Sequence, residues 1–176
     1  ISTNLHRISP NSLNRCGRNV YSQYGDDGII EEIFRRINIQ KGFFVEFGAN
    51  DGIWLSNSRY LWEKGWKGIN IDPIPGCMKV FNRLRPRDIN IELGVAEEEG
   101  ELNYYIFNET ALNSFSKKLS EKRDKIEKDY YIKEVIKVKV KPLYKILEKH
   151  QISKKIENHS ELFYNLLEDL KNPNSL

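Results

Sequence analysis

Phe43-Phe44-Val45-Glu46-Phe47-Gly48-Ala49-Asn50-Asp51-Gly52 is a mostly apolar run that enters a small-residue turn carrying two acids. A second run, Gly68-Ile69-Asn70-Ile71, ends on Asp72, roughly twenty residues past the turn. That spacing is expected of a nucleotide-binding βαβ unit. The pair of runs therefore predicts two strands, a tight turn after the first and an acid closing the second. The bland alternative is a glycine turn of the kind common in α/β proteins, with Glu46 as a capping or surface acid.

The acids bear on the ligand. A dinucleotide loop sets the glycines of G-x-G-x-x-G against a pyrophosphate held at a helix N-terminus. Here the small positions are Gly48, Asn50 and Gly52, and the third glycine is missing. Glu46 and Asp51 would put carboxylates beside the anion. Two like charges about 4 Å apart cost on the order of 4 kcal/mol at an effective dielectric near 20. S-adenosylmethionine carries a sulfonium and an ammonium and no phosphate, so an acidic turn attracts it. Asp72 would accept hydrogen bonds from both ribose hydroxyls. A strand-end acid facing a pocket supports little packing, so its loss is expected to spare the fold. Asn50 can stand in for glycine because Asn enters the left-handed region more readily than most residues.

YSQYGDDGIIEEIF (21–34), FFVEFGANDGIWLSNSRYLWEKGWKGINIDPIP (43–75) and NRLRPRDINIELGVAEEEGELNYYIF (82–107) together resemble the FkbM-type S-adenosylmethionine-dependent methyltransferases. Further matching features are Ser56-Asn57-Ser58 and the acid-Pro pair Asp72-Pro73, and the likeness spans about Tyr21 to Leu147. The resemblance implies an α/β Rossmann-like methyltransferase fold with a doubly wound, mainly parallel sheet. It implies that Glu46, Gly48, Ala49, Asn50, Asp51, Gly52 and Asp72 bind the cofactor S-adenosylmethionine, with Ser22, Gln23 and Asp26 nearby. It also implies O-methylation of a sugar or related hydroxyl on a glycan, glycolipid or secondary metabolite. The family carries an Ile-Asp-x-Glu-Gly tract after the region of Leu143–Leu147, and this chain has none. The C-terminal strands are accordingly expected to be missing and turnover by the chain alone to be slow. Two other readings stay open: a partial, non-catalytic cofactor-binding fragment acting through a partner, and a nucleotide- or NAD-binding α/β enzyme.

Composition narrows the classes. With 39% hydrophobic and 30% charged residues in 176, the chain has enough apolar content for one globular domain. A net charge of +3 with no basic stripe speaks against a nucleic-acid partner. The absence of a signal-like segment or a long apolar run argues against a membrane span and for a cytoplasmic protein. A start at Ile1 reads as a processed, trimmed or partial chain. Cys16 and Cys77 are expected to be reduced thiols. No metal is expected, since no H-x-x-H or C-x-x-C spacing occurs. His6, His150 and His159 lie outside the motif-bearing core, and the catalytic base is left unassigned.

Along the chain, residues 1–18 read as an irregular arm, 19–150 as the methyltransferase domain and 151–176 as an atypical helical tail. Asp26-Asp27 should cap a helix with Ile29, Ile30, Ile33, Phe34 and Ile37 on one face. Strands are expected at 42–47, 68–72 and 89–95, in the order 3-2-1. Helices are expected at 56–64, stopped by Gly65, and at 77–84. Trp62 and Trp66 read as packing residues. The loop 94–97 would border the adenine, and Glu97-Glu98-Glu99 reads as a solvated turn. A strand at 101–107 alternates imperfectly at Tyr104-Tyr105. Residues 117–128 form a charged helix or loop, and 134–140 reads as an edge strand guarded by lysines. The alternative for those lysines is a phosphate patch. A helix starts at Leu143. The tail 157–170, with Leu162, Phe163, Leu166, Leu167 and Leu170 in register, suggests self-association. The acceptor is expected to be a small molecule or glycan.

Overall fold

The computed structural model describes residues 12–126 and 129–152. Most of the N-terminal arm, His6, His159 and the tail expected over 157–170 lie outside the described residues. The elements are α1 (Asp26–Arg36), β1 (Phe43–Phe47), α2 (Arg59–Glu63), β2 (Lys67–Asp72), α3 (Cys77–Leu84) and β3 (Ile89–Glu92). There follow β4 (Gly94–Val95), β5 (Gly100–Phe107), α4 (Lys117–Ile126), β6 (Ile132–Lys141) and α5 (Leu143–Lys149). Short 3-10 turns cover Leu13–Cys16 and Thr110–Leu112. The result is a mixed α/β fold. Its described residues form two compact units, one of 12–44, 53–68 and 151–152, the other of 45–52, 69–126 and 129–150.

In the first unit, Phe44, Leu61 and Trp66 form a buried cluster joined by Ile30, Phe34, Ile39 and Trp62. The Phe34 and Trp66 rings lie 4.4 Å apart at a tilt of 53°, and Trp66 Nε1 donates to the Gln40 carbonyl. The two tryptophans are therefore packing residues. Asp27 does more than favour the start of α1. Its Oδ2 accepts the N–H groups of Val20, Tyr21 and Ser22 at 2.7–2.8 Å, and the Asp27 N–H donates to Ser22 Oγ. Gln23 is tied locally, its carbonyl accepting the Asp26 N–H.

Burial pushes the Asp27 carboxyl up, but the amides of Ser22, Tyr21 and Val20 and the Ser22 hydroxyl together hold it below its ordinary value. A depressed carboxylate adds stability that is complete above the unfolded pKa and fades as pH falls through the folded one. Asp27→Asn keeps an acceptor and loses the charge. It should cost about 1–2 kcal/mol at neutral pH, less in acid, in urea titrations at the two pH values.

The strand order β1-β2-β3 agrees with the expected 3-2-1 arrangement. β2 and β3 are parallel, Ile69 pairing with Ile89 and Asp72 with Glu92. The third strand is not continuous over 89–95. It breaks at Leu93, whose N–H donates to the Asp72 carbonyl, and resumes as β4 in a second sheet of order β4-β6-β5.

The expected edge strand needs a correction only at its end. β6 is antiparallel to β5 along its length, and among the described residues β4 joins its other side only at Val140 and Lys141. Over the rest of the strand the lysines stand on an edge, as expected: Lys137 and Lys139 are exposed while Val140, where β4 joins, is buried. Lys141 and Lys145 pair with Glu99 at 2.7 and 3.3 Å, so that acid does more than solvate a turn. Tyr104 and Tyr105 are both buried: Tyr105 exchanges backbone hydrogen bonds with Ser114, and the Tyr104 ring packs on Phe115.

α2 starts at Arg59, three residues later than expected, with Ser56 Oγ accepting the Arg59 N–H. Leu55 stands in the left-handed region at φ +60°, which holds the preceding residues out of a helix. Gly65 follows α2 as expected, its N–H bonded to the Trp62 carbonyl.

Candidate functional site

In the second unit, the ends of β1, β2 and β3 open onto a cleft of about 450 Å³. Phe47 and Gly48 line it from β1, Ile71 and Pro73 from β2. Leu93 and Val95 follow from the third strand, and the far wall is Tyr104 with the segment 113–116. Clefts at the carboxyl ends of parallel strands are the usual ligand sites of open α/β sheets, and this volume suits a small organic ligand.

The turn is built by backbone. Gly48 (φ +68°), Asn50 (φ +52°) and Gly52 (φ +73°) all take the left-handed conformation. The Gly48 N–H donates to the Ile71 carbonyl at 2.9 Å, stitching the turn to β2. A Cβ on Gly48 would meet nothing within 4 Å, whereas one on Gly52 would lie 2.5 Å from the Phe81 ring. Gly48 therefore faces open space and Gly52 faces the core. Ala49 is buried with Met78 and Phe81, and Asp51 is exposed.

Asp72 is the centre of the arrangement. Only 2% exposed, it accepts the Asn50 N–H on Oδ2 and the Ile74 N–H on Oδ1, both at 2.9 Å. It thus ties the turn after β1 to the loop after β2, and the expectation that its loss spares the fold is corrected. It has no ion-pair partner among the described residues. Burial raises its pKa, against the pull of the Ile74 and Asn50 amides. A carboxylate with four acceptor lobes, two donors and no cation has room for more donors.

Glu46 takes a different part. Its Oε2 lies 3.2 Å from Arg85 Nη1, and Arg85 is fully buried. Arg85 also donates from Nε to Asp88 at 3.0 Å, while Nη1 reaches the Gly52 carbonyl at 3.5 Å. Sequence reasoning passed over this arginine. A signal existed, because Met78, Phe81 and Arg85 recur at helical spacing, which sets Arg85, the residue that follows α3, in line with its buried stripe. Of the seven residues expected to bind cofactor, Gly48 lines the cleft. Asp72 stands between the cleft residues Ile71 and Pro73, and Asn50 is held to it. Glu46, Ala49 and Gly52 support the turn from the packed side.

Other titratable groups sort quickly. Cys77 is pushed up to about 12 by burial and by Asp72 and Glu92, so its thiol stays protonated. Tyr104 is likewise pushed up to about 12 by burial, with Asp72 contributing. His150 follows α5 and does not line the cleft. Among the described residues no three His, Cys, Asp or Glu side chains converge as metal ligands. No helix among them is long and apolar enough to cross a membrane.

The family described as Methyltransferase FkbM domain has a sequence profile that matches residues 46–158, more than half of the chain. Comparisons with curated proteins and with solved structures gave no match. The matched segment begins at the end of β1 and contains the turn, Asp72 and the cleft wall.

Proposed function

The chain belongs to the FkbM methyltransferase domain family, and from that premise we propose that it moves a methyl group from S-adenosylmethionine to a hydroxyl oxygen of a sugar or similar acceptor, on a Rossmann-like fold. The observation that carries the reading is Asp72, a buried carboxylate beside the strand-end cleft with no cation partner among the described residues and with spare acceptor lobes. Vicinal ribose hydroxyls are the donors that suit it, and they would satisfy a charge that burial leaves under-compensated.

The residues present fit such a donor. Gly48 leaves a side-chain-free rim at the end of β1, so backbone and ligand can approach closely. Asp72 anchors the ribose while holding the turn through the Asn50 N–H, and the turn's geometry is set before anything binds. When bound, S-adenosylmethionine supplies an electrophilic methyl on a sulfonium, open to in-line displacement by an acceptor oxygen. The chain's contribution is orientation, which accounts for about 7–11 kcal/mol of barrier in well-aligned reactions. The acceptor's proton must also leave, and no cleft residue is assigned that task.

A dinucleotide suits this site poorly. Glu46 does not argue against phosphate as its position in the sequence suggests, since Arg85 offsets its charge. The stronger argument is that the turn does not lead into a helix: α2 begins only at Arg59. The turn thus lacks the helix N-terminus that holds a pyrophosphate, and it stands next to Asp72. S-adenosylhomocysteine should bind at least tenfold more tightly than NAD in calorimetry. Tighter binding of NAD would overturn the proposal.

A further inference from the structure

Asn113 is a polar cleft residue with no part in the reaction outlined above. Its orientation is fixed by its own contact: Oδ1 accepts the Phe107 N–H at 2.8 Å, which leaves the amide nitrogen as the spare group. That nitrogen is buried and makes no hydrogen bond of good geometry, though it lies near enough to the Tyr104 phenol to temper the rise in its pKa. A buried N–H without an acceptor is costly, and proteins keep few of them. Around it, the Tyr104 and Phe115 rings pack at 4.7 Å, and Leu93 and Val95 add apolar wall. A donor and a hydroxyl set in an aromatic and aliphatic slot match the edge and faces of a planar heterocycle.

The strand order says which part of the donor comes here. Crossing the sheet from β1 to β3, the cleft is lined by Gly48, then by Ile71 and Pro73 on either side of Asp72, then by Leu93 and Val95, and Tyr104 and Asn113 belong to its remaining wall. With the ribose on Asp72, the base lies on the far side from Gly48. Resting on the donor-binding reading above, we infer that Asn113 and Tyr104 read the edge of the adenine, Nδ2–H donating to ring N1 and the Tyr104 oxygen accepting from the 6-amino group. Adenine presents an acceptor at N1 beside its amino donor. Its deaminated counterpart carries N1–H, a donor that would face the Asn113 donor.

Calorimetry with S-adenosylhomocysteine and S-inosylhomocysteine tests this on the full chain. The parent should favour the adenosyl ligand about 10- to 100-fold, the range of one or two hydrogen bonds won or lost. Asn113→Asp keeps an oxygen for the Phe107 N–H and turns the free donor into an acceptor. It should weaken adenosyl binding by a similar factor and reverse the preference toward the inosyl ligand, which a merely structural role would not do. Should that variant fail to fold, Tyr104→Phe keeps the ring packing and should cost about tenfold in adenosyl affinity. Equal affinities of the parent for both ligands, an Asn113→Asp variant with unchanged preference, or a Tyr104→Phe variant with parental adenosyl affinity would overturn the inference and leave donor binding standing. Failure of the parent to bind S-adenosylhomocysteine would overturn the donor reading itself, and this inference with it.

Discussion

Asp72→Ala is expected to lower fold stability by about 2–4 kcal/mol and to remove most donor binding. Both carboxylate oxygens are occupied by backbone amides, from Asn50 and Ile74, in a position 2% exposed. Each amide left without an acceptor costs about 1–3 kcal/mol. Part of that is offset, because the carboxylate's own burial is unfavourable, as its raised pKa records. The sign of the pH dependence follows. A carboxyl whose folded pKa is raised favours its protonated form in the fold, so stability falls as pH climbs from the ordinary value through the folded one. The parent's advantage over Asp72→Ala should thus be greater in acid than at neutral pH, read by urea titration at both.

Asp72→Asn separates the two roles. It retains one acceptor oxygen and the side-chain volume, so folding should be less affected, while the charge that would hold two hydroxyls is gone. Its affinity for S-adenosylhomocysteine should drop by the equivalent of about 1.5–3 kcal/mol. A folded Asp72→Asn protein with parental affinity would leave Asp72 as a clamp of the turn and no more.

How much of this was legible in the sequence depends on whether a residue's job is local. The β1 turn, β2 and its terminal acid were legible because strand, turn and acid occur within one stretch with a fixed period. α3 was placed correctly, since Pro73 and Pro75 turn the chain just before it and that is a local signal. The edge character of β6 was legible in its lysines, but not that β4 joins it at Val140 and Lys141, because alternation of Val and Lys is silent about where a second neighbour begins. The break at Leu93 was hidden for a similar reason: the run Ile89 to Val95 reads the same whether or not it changes partner. Asp72 was found but its job was half read. A carboxylate's ligand role is suggested by spacing, whereas its hold on Asn50, twenty-two residues away in sequence, exists only in three dimensions. Asn113 carried no signal at all. An Asn in a polar segment is unremarkable until the fold commits its oxygen to Phe107 and buries its nitrogen.

Arg85→Met should be the most destabilising of the substitutions considered, by about 3–5 kcal/mol. The sequence offers Arg83, Arg85 and Arg87 in one short tract, and the fold exposes the first and third while burying the second completely. Arg85 meets Asp88 at 3.0 Å with neither side chain exposed, and Glu46 at 3.2 Å with 14% exposure. Asn70 donates to the same Asp88 oxygen at 3.0 Å and to Asn90 at 2.8 Å. Removing the guanidinium therefore takes a fully buried cation from beside two carboxylates. Such uncompensated charge is what makes breaking a buried pair so much costlier than never having built it. Arg85→Lys should recover only part of the loss, because a single ammonium cannot span Glu46, Asp88 and the Gly52 carbonyl as the planar fork does. Arg85→Met combined with Asp88→Asn should recover more, since the second change removes one stranded charge. The order of the midpoints in urea, with parent above Lys and Met lowest, checks the argument. A loss below about 1 kcal/mol for Arg85→Met would mean that the acids find other partners and that the turn keeps its shape without this arginine.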